Sequence, residues 1–230
     1  MNLSIITPFA GPTAPLIADY FAAVQGCHEV IIVDNACDAP TASALQEMCG
    51  QLSGAYIRND TNQGFAAANN QGYAKATGDA IMFLNSDIAA APGWLGVVQH
   101  DVRASGLYGP SLGHQLVYGE GWPYIEGWCI VAMREAWDGL LLDPMDALPY
   151  GPWDADIYPD PYWEDNDLCL RAMQVGIRLV QTRWANDRML IHKGGQTAGA
   201  LIKHGASFER NRATFAARVA PVWEAKMRVT

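Results

Sequence analysis

The sequence has few of the features that mark disulfide-rich, zinc-binding or membrane proteins. It contains five cysteines in 230 residues, an odd number at wide spacing, and no Cys-x-x-Cys pair. This usage predicts neither a zinc site nor a disulfide framework, and it favours reduced thiols. No apolar run approaches the roughly 20 residues that cross a bilayer. The first residues, MNLSIITPFAG, lack the pattern of a signal peptide, so we expect a soluble, cytoplasmic protein.

Positive charge is also scarce. Lysine and arginine number 15 against 24 aspartates and glutamates, which gives a formal net charge of −9. No basic patch is present, so nucleic acid is not expected as the main partner. An acidic protein can still bind an anionic nucleotide when a divalent metal bridges the two.

Two common nucleotide-binding motifs are missing. The first predicted strand, Leu3–Thr7, ends at Pro8. The turn from Thr7 to Gly11 lacks the Gly-x-Gly-x-x-Gly of a dinucleotide-binding domain, and the chain has no Walker loop. A nucleotide that binds this protein is therefore held in another way.

What the sequence does contain is a regular alternation of strand and helix patterns. Short apolar runs predict strands, and apolar residues three and four apart predict helices. In the first ninety residues the predicted strands are Leu3–Thr7, Val30–Val33, Ala55–Ile57 and Ile81–Leu84, and the predicted helices are Thr13–Gln25, Pro40–Cys49 and Asn62–Lys75. This order predicts an α/β fold with a Rossmann-like, mostly parallel central sheet flanked by helices.

The alternation is weaker in the rest of the chain. Its predicted helices are Pro92–Ala104, Arg134–Leu140, Trp163–Val175 and Ser207–Val219, and its predicted strands are Trp128–Met133 and Ile177–Gln181. The stretch from Asp143 to Tyr162, rich in proline, aspartate and aromatic residues, predicts an ordered loop at a working face. No linker divides the chain, so we expect a single domain over residues 1–230.

A polar tripeptide follows the most uniformly apolar strand. Ile81–Leu84 is followed by Asn85, Ser86 and Asp87, and ligands bind beyond the carboxyl ends of strands in open α/β sheets. Asp87 there suits a hard divalent ion, although these residue types are equally typical of an ordinary turn. His192 is either a structural histidine or a further ligand of a metal held by Asp87.

Carboxylates follow or begin two other predicted elements. Asp34 follows the second strand and is either a turn residue or an acceptor for a base or ribose. Glu164, Asp165 and Asp167 stand in the first turn of a predicted helix, where the helix dipole favours acidic residues. Three carboxylates exceed what a cap needs, and one of them is a candidate general base. Asp167 and Arg171 are spaced to pair across one turn.

The helix predicted from Asn62 has an almost bare face. Phe65, Ala68 and Gly72 share this face, which indicates close packing against a sheet or ligand. Asn62 and Asn69 either contact a ligand or brace the local backbone.

Together these segments resemble the family 2 glycosyltransferases, which have the A-type nucleotide-sugar fold, and within them the rhamnosyl- and galactofuranosyl-transferase-like branch. The matching segments are Ile31–Asn35, Asn62–Asp79, Phe83–Asp87, Glu126–Glu135, Trp163–Ala172 and Ile191–Gly195. They occur in the family's order and are spread over most of the chain. The resemblance implies a nucleotide-sugar-binding half over residues 1–90 and an acceptor-binding, catalytic half over 91–230.

The resemblance also implies roles for individual residues. The nucleotide-sugar site would comprise Thr7, Pro8, Asp34, Asn62, Gly64, Asn69, Asn85, Ser86 and Asp87. Asp87 and His192 would bind Mn2+ or Mg2+. Asp165 would be the catalytic base, Glu164 would orient the acceptor, and Gly127, Trp128 and Trp163 would form the acceptor site.

The activity implied is an inverting transfer from a UDP- or dTDP-linked sugar to a hydroxyl of a glycan or glycoconjugate, as in polysaccharide biosynthesis.

Two features depart from the family pattern. Asn85 stands where the family often has an aspartate, which leaves fewer anionic metal ligands. The segment Asp146–Pro161 is longer than the usual link and either shapes the acceptor site or is a surface insertion.

Two rival functions stay open at this point. A nucleotidyltransferase would need a Gly-rich loop with a basic residue after the first strand, and Thr7 to Gly11 contains none. A catalytically inactive fold that binds a glycan or a protein would have lost the base or metal residues, whereas Asp87, Asp165 and His192 are present.

Overall fold

The computed structural model describes residues 1–103, 106–142, 151–194 and 204–227. Its first half comprises β1 (Leu3–Phe9), a 3-10 turn (Ala14–Leu16), α1 (Ile17–Val24), β2 (Glu29–Asn35), α2 (Ala39–Leu52), β3 (Ala55–Asn59), α3 (Phe65–Tyr73) and β4 (Ala80–Leu84). The predicted strands and helices of this half are confirmed, with bounds that differ by one to several residues.

The second half begins with β5 (Ile88–Ala90), α4 (Trp94–Asp101), β6 (Gly106–Gly109), β7 (Leu112–Val117), β8 (Glu120–Ile125), β9 (Cys129–Met133) and α5 (Arg134–Asp138). It continues with α6 (Glu164–Gln174), β10 (Arg178–Gln181), β11 (Leu190–His192) and α7 (His204–Met227). No helix in the described ranges is long and apolar enough to cross a bilayer.

The central sheet has seven strands in the order β10-β6-β9-β4-β1-β2-β3. Strand β9 pairs antiparallel with β4 and β6, and the other pairs are parallel, so the predicted mostly parallel sheet is confirmed. The chain runs from β1 outward to β2 and β3 and then returns to β4 on the other side of β1. This reversal of strand order creates a crevice beyond the carboxyl ends of β1 and β4, where ligands bind in such sheets.

Apolar side chains cover both faces of the sheet. Because side chains alternate along a strand, Ile5 and Phe9 pack in one cluster while Ile6 packs in the other. On the second face, α3 lies so close to β1 that a β-carbon on Gly72 would stand 2.3 Å from Cγ2 of Ile6. The close packing predicted for the bare face of α3 is therefore confirmed.

The hairpin β7–β8 was not predicted from the sequence. Its strands are joined through Tyr118 and Gly119, which have φ angles of 55° and 78°. Positive φ at both central residues is the geometry of tight hairpin turns, which Asn-Gly usually supplies. A tyrosine at the first position gives no such signal, so the sequence pattern does not indicate this hairpin.

The last helix also differs from its prediction. It begins at His204 and continues through Pro221 to Met227, so Ser207 lies inside it and is not its cap. The Ser207 hydroxyl instead lies 3.3 Å from a carboxylate oxygen of Asp160. The helix extends past its predicted end because its apolar residues keep packing, with Trp223 stacked against Tyr118.

The predicted loop is ordered where the structure describes it, from residue 151 onward. The amide of Asn70 on α3 donates to the Trp153 carbonyl at 2.8 Å and accepts from the Trp153 N–H at 3.1 Å. A β-carbon on Gly151 would lie 2.2 Å from the Asn70 side-chain oxygen, so the loop seats directly on α3. Residues 143–150 of the loop, and Gly195 of the predicted turn after His192, lie outside the described residues.

Candidate active site

A cavity of about 380 Å³ opens at the crevice between β1 and β4. It is bounded by the ends of β1, β2 and β4, by the hairpin β7–β8, by the start of α6 and by α7. Its lining comprises Pro8, Ala10, Asn35, Asn62, Gly64, Phe65, Asn85, Ser86, Asp87, Gln115, Tyr124, Glu126, Gly127, Trp128, Pro161, Tyr162, Trp163, Glu164, Asp165, Asn166, His192 and Phe208. Twelve of the fifteen residues that the sequence singled out therefore share one cavity.

Asp87 and His192 meet on one side of this cavity. Strands β5 and β11 pair antiparallel, with His192 opposite Ile88, and this pairing brings the imidazole beside the neighbouring Asp87. His192 Nε2 lies 3.0 Å from Asp87 Oδ1. Trp128 stacks flat on the imidazole, with ring centroids 4.7 Å apart and an interplanar angle of 5°. The indole thus fixes the plane of the histidine ring.

This pair fits a divalent metal as a partial ligand set. Within the described part of the chain, no group of three or more His, Cys, Asp or Glu side chains could hold a metal by itself. Mg2+ is usually bound by one or two carboxylates together with substrate phosphates and water, because it retains several oxygen ligands of this kind. Asp87 and His192 supply an oxygen and a nitrogen, and a bound diphosphate would supply more oxygens.

The start of α6 presents two carboxyl groups to the cavity. Tyr162 and Trp163 precede the helix with φ angles of 87° and 74°, in the left-handed region that few non-glycine residues adopt. Trp163 is buried and packs against Phe208 and Phe215 of α7. This packing stabilises the left-handed backbone conformation of Tyr162 and Trp163. That conformation turns Glu164 and Asp165 toward the cavity.

Asp165 is held by backbone donors. The Gly127 N–H donates to its Oδ2 at 2.9 Å, and the Asn166 N–H donates to its Oδ1 at 2.9 Å. Removal from bulk water raises the pKa of Asp165 to about 6, although both donors favour its anion. A carboxyl group with this pKa is largely ionised at neutral pH and remains a competent base.

Glu164 has a different environment. It is 7% exposed, and its Oε2 has no hydrogen-bond partner among the described residues. Burial, and then the nearby Asp165 charge, raise the pKa of Glu164 well above the ordinary value. Since the two carboxyl groups repel each other when both are charged, Asp165 ionises at a lower pH than Glu164 does.

The third carboxylate of this turn has structural partners. Asp167 accepts from Arg171 at 2.9 Å, as the spacing predicted, and from Arg218 of α7 at 2.9 Å. Arg218 also pairs with Asp154 of the loop at 2.6 Å. Asp167 therefore joins α6, α7 and the loop, and it does not line the cavity.

Three residues of the predicted site lie behind the cavity wall. Thr7 is buried and accepts a hydrogen bond from Tyr20 at 2.7 Å. Asp34 accepts from the Cys37 N–H at 2.8 Å and from the side chains of Tyr56 and Arg58. Asn69 donates to the carbonyl of Phe65 in its own helix at 3.0 Å. Their assigned roles stay predictions.

Strand geometry explains two of these positions. Successive side chains point to opposite faces, so Pro8 and Asn35 line the cavity while Thr7 and Asp34 do not. The Asn35 amide donates to Asn62 Oδ1 at 2.8 Å, which anchors the segment before α3. Asn35 follows Asp34 and is the last residue of β2. Counting the alternation of side chains from Pro8 could therefore have identified Asn35 as the residue that faces the cavity.

Other lining residues were not singled out from the sequence. Gln115 and Tyr124 belong to the unpredicted hairpin, Glu126 to the turn before β9, Tyr162 to the loop, Asn166 to α6 and Phe208 to α7. Gly64 is required next to them, since its φ is 85° and a β-carbon would stand 2.1 Å from the Pro159 carbonyl oxygen.

Solved structures with this fold include several glycosyltransferases. A mannosyltransferase, PcManGT from Pyrobaculum calidifontis, aligns with a TM-score of 0.59 and 18% identity, over 79% of this chain and 54% of that chain. TarS (residues 1–349) from S. aureus aligns with a TM-score of 0.57 and 16% identity, over 91% of this chain and 64% of that chain. GalNAc-T7 aligns with a TM-score of 0.61 and 12% identity, over 79% of this chain and 42% of that chain.

These alignments establish the glycosyltransferase A-type fold that the resemblance implied. The chain spans about half the length of the mannosyltransferase. No curated protein matches the chain. The sequence profile of the family described as Glycosyl transferase family 2 matches residues 4–138, more than half of the chain. The chain therefore belongs to glycosyl transferase family 2.

Proposed function

We propose that the protein is an inverting, metal-dependent glycosyltransferase of the rhamnosyl- and galactofuranosyl-transferase-like branch. It moves a hexosyl group from a UDP- or dTDP-linked sugar to a hydroxyl of a glycan or glycoconjugate. The observation that carries the proposal is the shared cavity, which has the Asp87–His192 pair on one wall and the Asp165 carboxylate on another. A diphosphate-binding group and a base are the two functions that such a transfer needs.

The charge of the lining supports a role for a metal. None of the lining residues in the described ranges is a lysine or an arginine. A diphosphate in this cavity therefore needs its charge balanced in another way, and Asp87 with His192 would hold Mn2+ or Mg2+ there. Such an ion supplies positive charge that stabilises the leaving diphosphate. The solved mannosyltransferase is a complex with GDP-Man and Mn2+, and one TarS structure contains UDP-GlcNAc.

The carboxylate of Asp165 performs the proton transfer. It takes the proton of the acceptor hydroxyl while that oxygen attacks the anomeric carbon. The new carbon–oxygen bond forms as the bond from the anomeric carbon to the diphosphate oxygen breaks, and the diphosphate leaves with the electron pair. One displacement inverts the anomeric configuration. Gly127 keeps the carboxylate oriented through its N–H. Glu164, which lies beside Asp165 in the lining, orients the acceptor through a hydrogen bond.

Calorimetry tests the proposal directly. The purified protein is titrated with UDP, dTDP and GDP, each with and without Mn2+. We expect one nucleotide to bind and to require the metal, and this result also narrows the choice of donor. If no nucleotide binds under either condition, the transferase proposal fails and a catalytically inactive binding module becomes the better account.

A further inference from the structure

The cavity wall around Asp165 differs in chemistry from the wall around Asp87. We call it the acceptor wall and define it by the residues Gln115, Tyr124, Glu126, Tyr162, Asp165 and Phe208. Glu164 and Trp128 adjoin these residues in the lining. The wall is assembled from the hairpin β7–β8, the turn before β9, the start of α6 and α7, so it forms only in the folded chain.

The acceptor wall is acidic. Its two carboxyl groups are those of Glu126 and Asp165, and the described lining contains no lysine or arginine to offset them. Trp128 Nε1 donates to Glu126 Oε2 at 3.1 Å, which holds that carboxylate in place. An acceptor with a phosphate or carboxylate near its reacting hydroxyl would meet the carboxylates of Glu126 and Asp165 with no lysine or arginine of the wall to pair with, and such juxtaposition of like charges strongly disfavours binding.

The same wall is rich in aromatic rings. Tyr124, Tyr162 and Phe208 belong to the wall, and Trp128 adjoins it. The rings of Tyr162 and Phe208 meet edge to face, with centroids 5.8 Å apart, which gives a continuous apolar surface. A sugar ring matches this chemistry, because its C–H faces are apolar and its hydroxyl groups donate to carboxylates.

We propose that the acceptor wall binds an uncharged sugar ring and rejects acceptors that carry a phosphate or carboxylate beside the reacting hydroxyl. The inference rests on the proposed function and specifies its acceptor. The carboxyl groups discriminate against charged acceptors, and the aromatic surface provides affinity for the sugar ring.

Saturation-transfer NMR can test this inference without a donor sugar. The protein is loaded with Mg2+ and whichever of UDP, dTDP or GDP binds by calorimetry. The probes are the methyl glycosides of glucose, galactose, mannose and rhamnose, together with methyl glucuronide, methyl galacturonide and mannose 6-phosphate. We expect at least one neutral glycoside to bind, with a Kd at least about tenfold lower than that of its charged analogue, since each factor of ten corresponds to only about 1.4 kcal/mol.

Equal or tighter binding of the charged probes overturns the inference, and so does the absence of binding by every neutral glycoside while the nucleotide remains bound. Failure of all the nucleotides to bind is a different result, which overturns the proposed function itself together with this inference.

A charge-matched pair of variants locates the cause. Glu126→Gln removes one lining charge and keeps an oxygen that can accept from Trp128. Glu135→Gln removes the same charge from an exposed position on α5, outside the cavity. The quantity compared is the Kd of a charged probe divided by the Kd of its neutral analogue. We expect Glu126→Gln to lower this ratio by at least about threefold, and Glu135→Gln to leave it unchanged. An unchanged ratio in Glu126→Gln, or an equal fall in both variants, would contradict the assignment to the wall.

Discussion

Gly127 and Asp165 are in direct contact: the Gly127 N–H donates to Asp165 Oδ2 at 2.9 Å, and a β-carbon on Gly127 would lie 3.3 Å from the Asp165 β-carbon. The backbone between β8 and β9 thus both orients the proposed base and limits the space beside it. Glycine is the one residue that offers the N–H without adding an atom at this contact.

Gly127→Ala is therefore expected to displace Asp165 by a few tenths of an ångström. Since small misplacements of a reacting group reduce rates steeply, turnover should fall about tenfold, while nucleotide affinity stays within about twofold. Steady-state kinetics and calorimetry measure the two effects. Gly96→Ala is the matched control, because a β-carbon on Gly96 in α4 meets nothing within 4 Å. Equal losses in the two variants would show that the contact with Asp165 is unimportant.

The raised pKa of Asp165 predicts the pH dependence of transfer. The proposed base acts as its anion, so turnover should rise with pH, reach half of its maximum near pH 6 and level off above about pH 7. A pH profile of kcat in overlapping buffers measures this. A profile that stays flat between pH 5 and 7 would argue against Asp165 as the base.

The same shift has a consequence for stability with the opposite sign. The folded protein holds the Asp165 proton more tightly than the unfolded chain does, so stability from this group is present at low pH and is lost as pH rises toward 6. At neutral pH, Asp165→Asn should therefore raise the free energy of unfolding, by on the order of 1 kcal/mol after allowance for partial solvent screening. Urea unfolding at pH 5 and 7.5 tests this, and the gain should be larger at pH 7.5.

Asp87 and Asp165 are expected to fail in different ways. Asp87→Ala should weaken metal-dependent nucleotide binding, because one of the two proposed protein ligands of the metal is lost. Asp165→Asn should leave that binding intact and reduce transfer by at least about a hundredfold. Calorimetry with Mn2+ and a transfer assay separate the two. Equal loss of nucleotide binding in both variants would contradict the assigned roles.

Asn211 on α7 is expected to maintain the turn before α6. It is fully buried, and its amide donates to the carbonyls of Asp160 at 3.1 Å and Tyr162 at 2.9 Å, with that of Pro161 at 3.4 Å. Asn211→Leu approximately keeps the size of the side chain. It removes these hydrogen bonds from carbonyls at and beside Tyr162 and Trp163, the two residues with positive φ.

The Asn211→Leu variant should lose about 2–3 kcal/mol of unfolding free energy, since buried acceptors would be left without partners. Its kcat should also fall while nucleotide affinity is retained. The control is Thr214→Ala, whose hydroxyl donates to the Arg210 carbonyl of the same helix at 3.1 Å. A stable Asn211→Leu protein with normal kcat would show that the turn holds its shape without this residue.

The sequence by itself determined the order of the strands and helices in the first ninety residues, and the chemistry at the ends of the elements that it predicts. Strands such as Ile81–Leu84 are recognisable because apolar runs and the residues that end them are local features. For the same reason Asp87 was placed at the end of a strand, and Glu164 and Asp165 at the start of a helix. These properties depend on neighbours in the chain, and a linear pattern records them.

Only the tertiary structure decided which of these ends meet. The ladder of β5 with β11 brings His192 to Asp87, and the packing of α7 on Trp163 directs Asp165 toward Gly127. Strand alternation turned Asp34 behind the wall, although its position at the strand end was correct. Contacts of this kind arise from pairing and packing between segments far apart in sequence, and no local periodicity specifies which distant surfaces will bury each other.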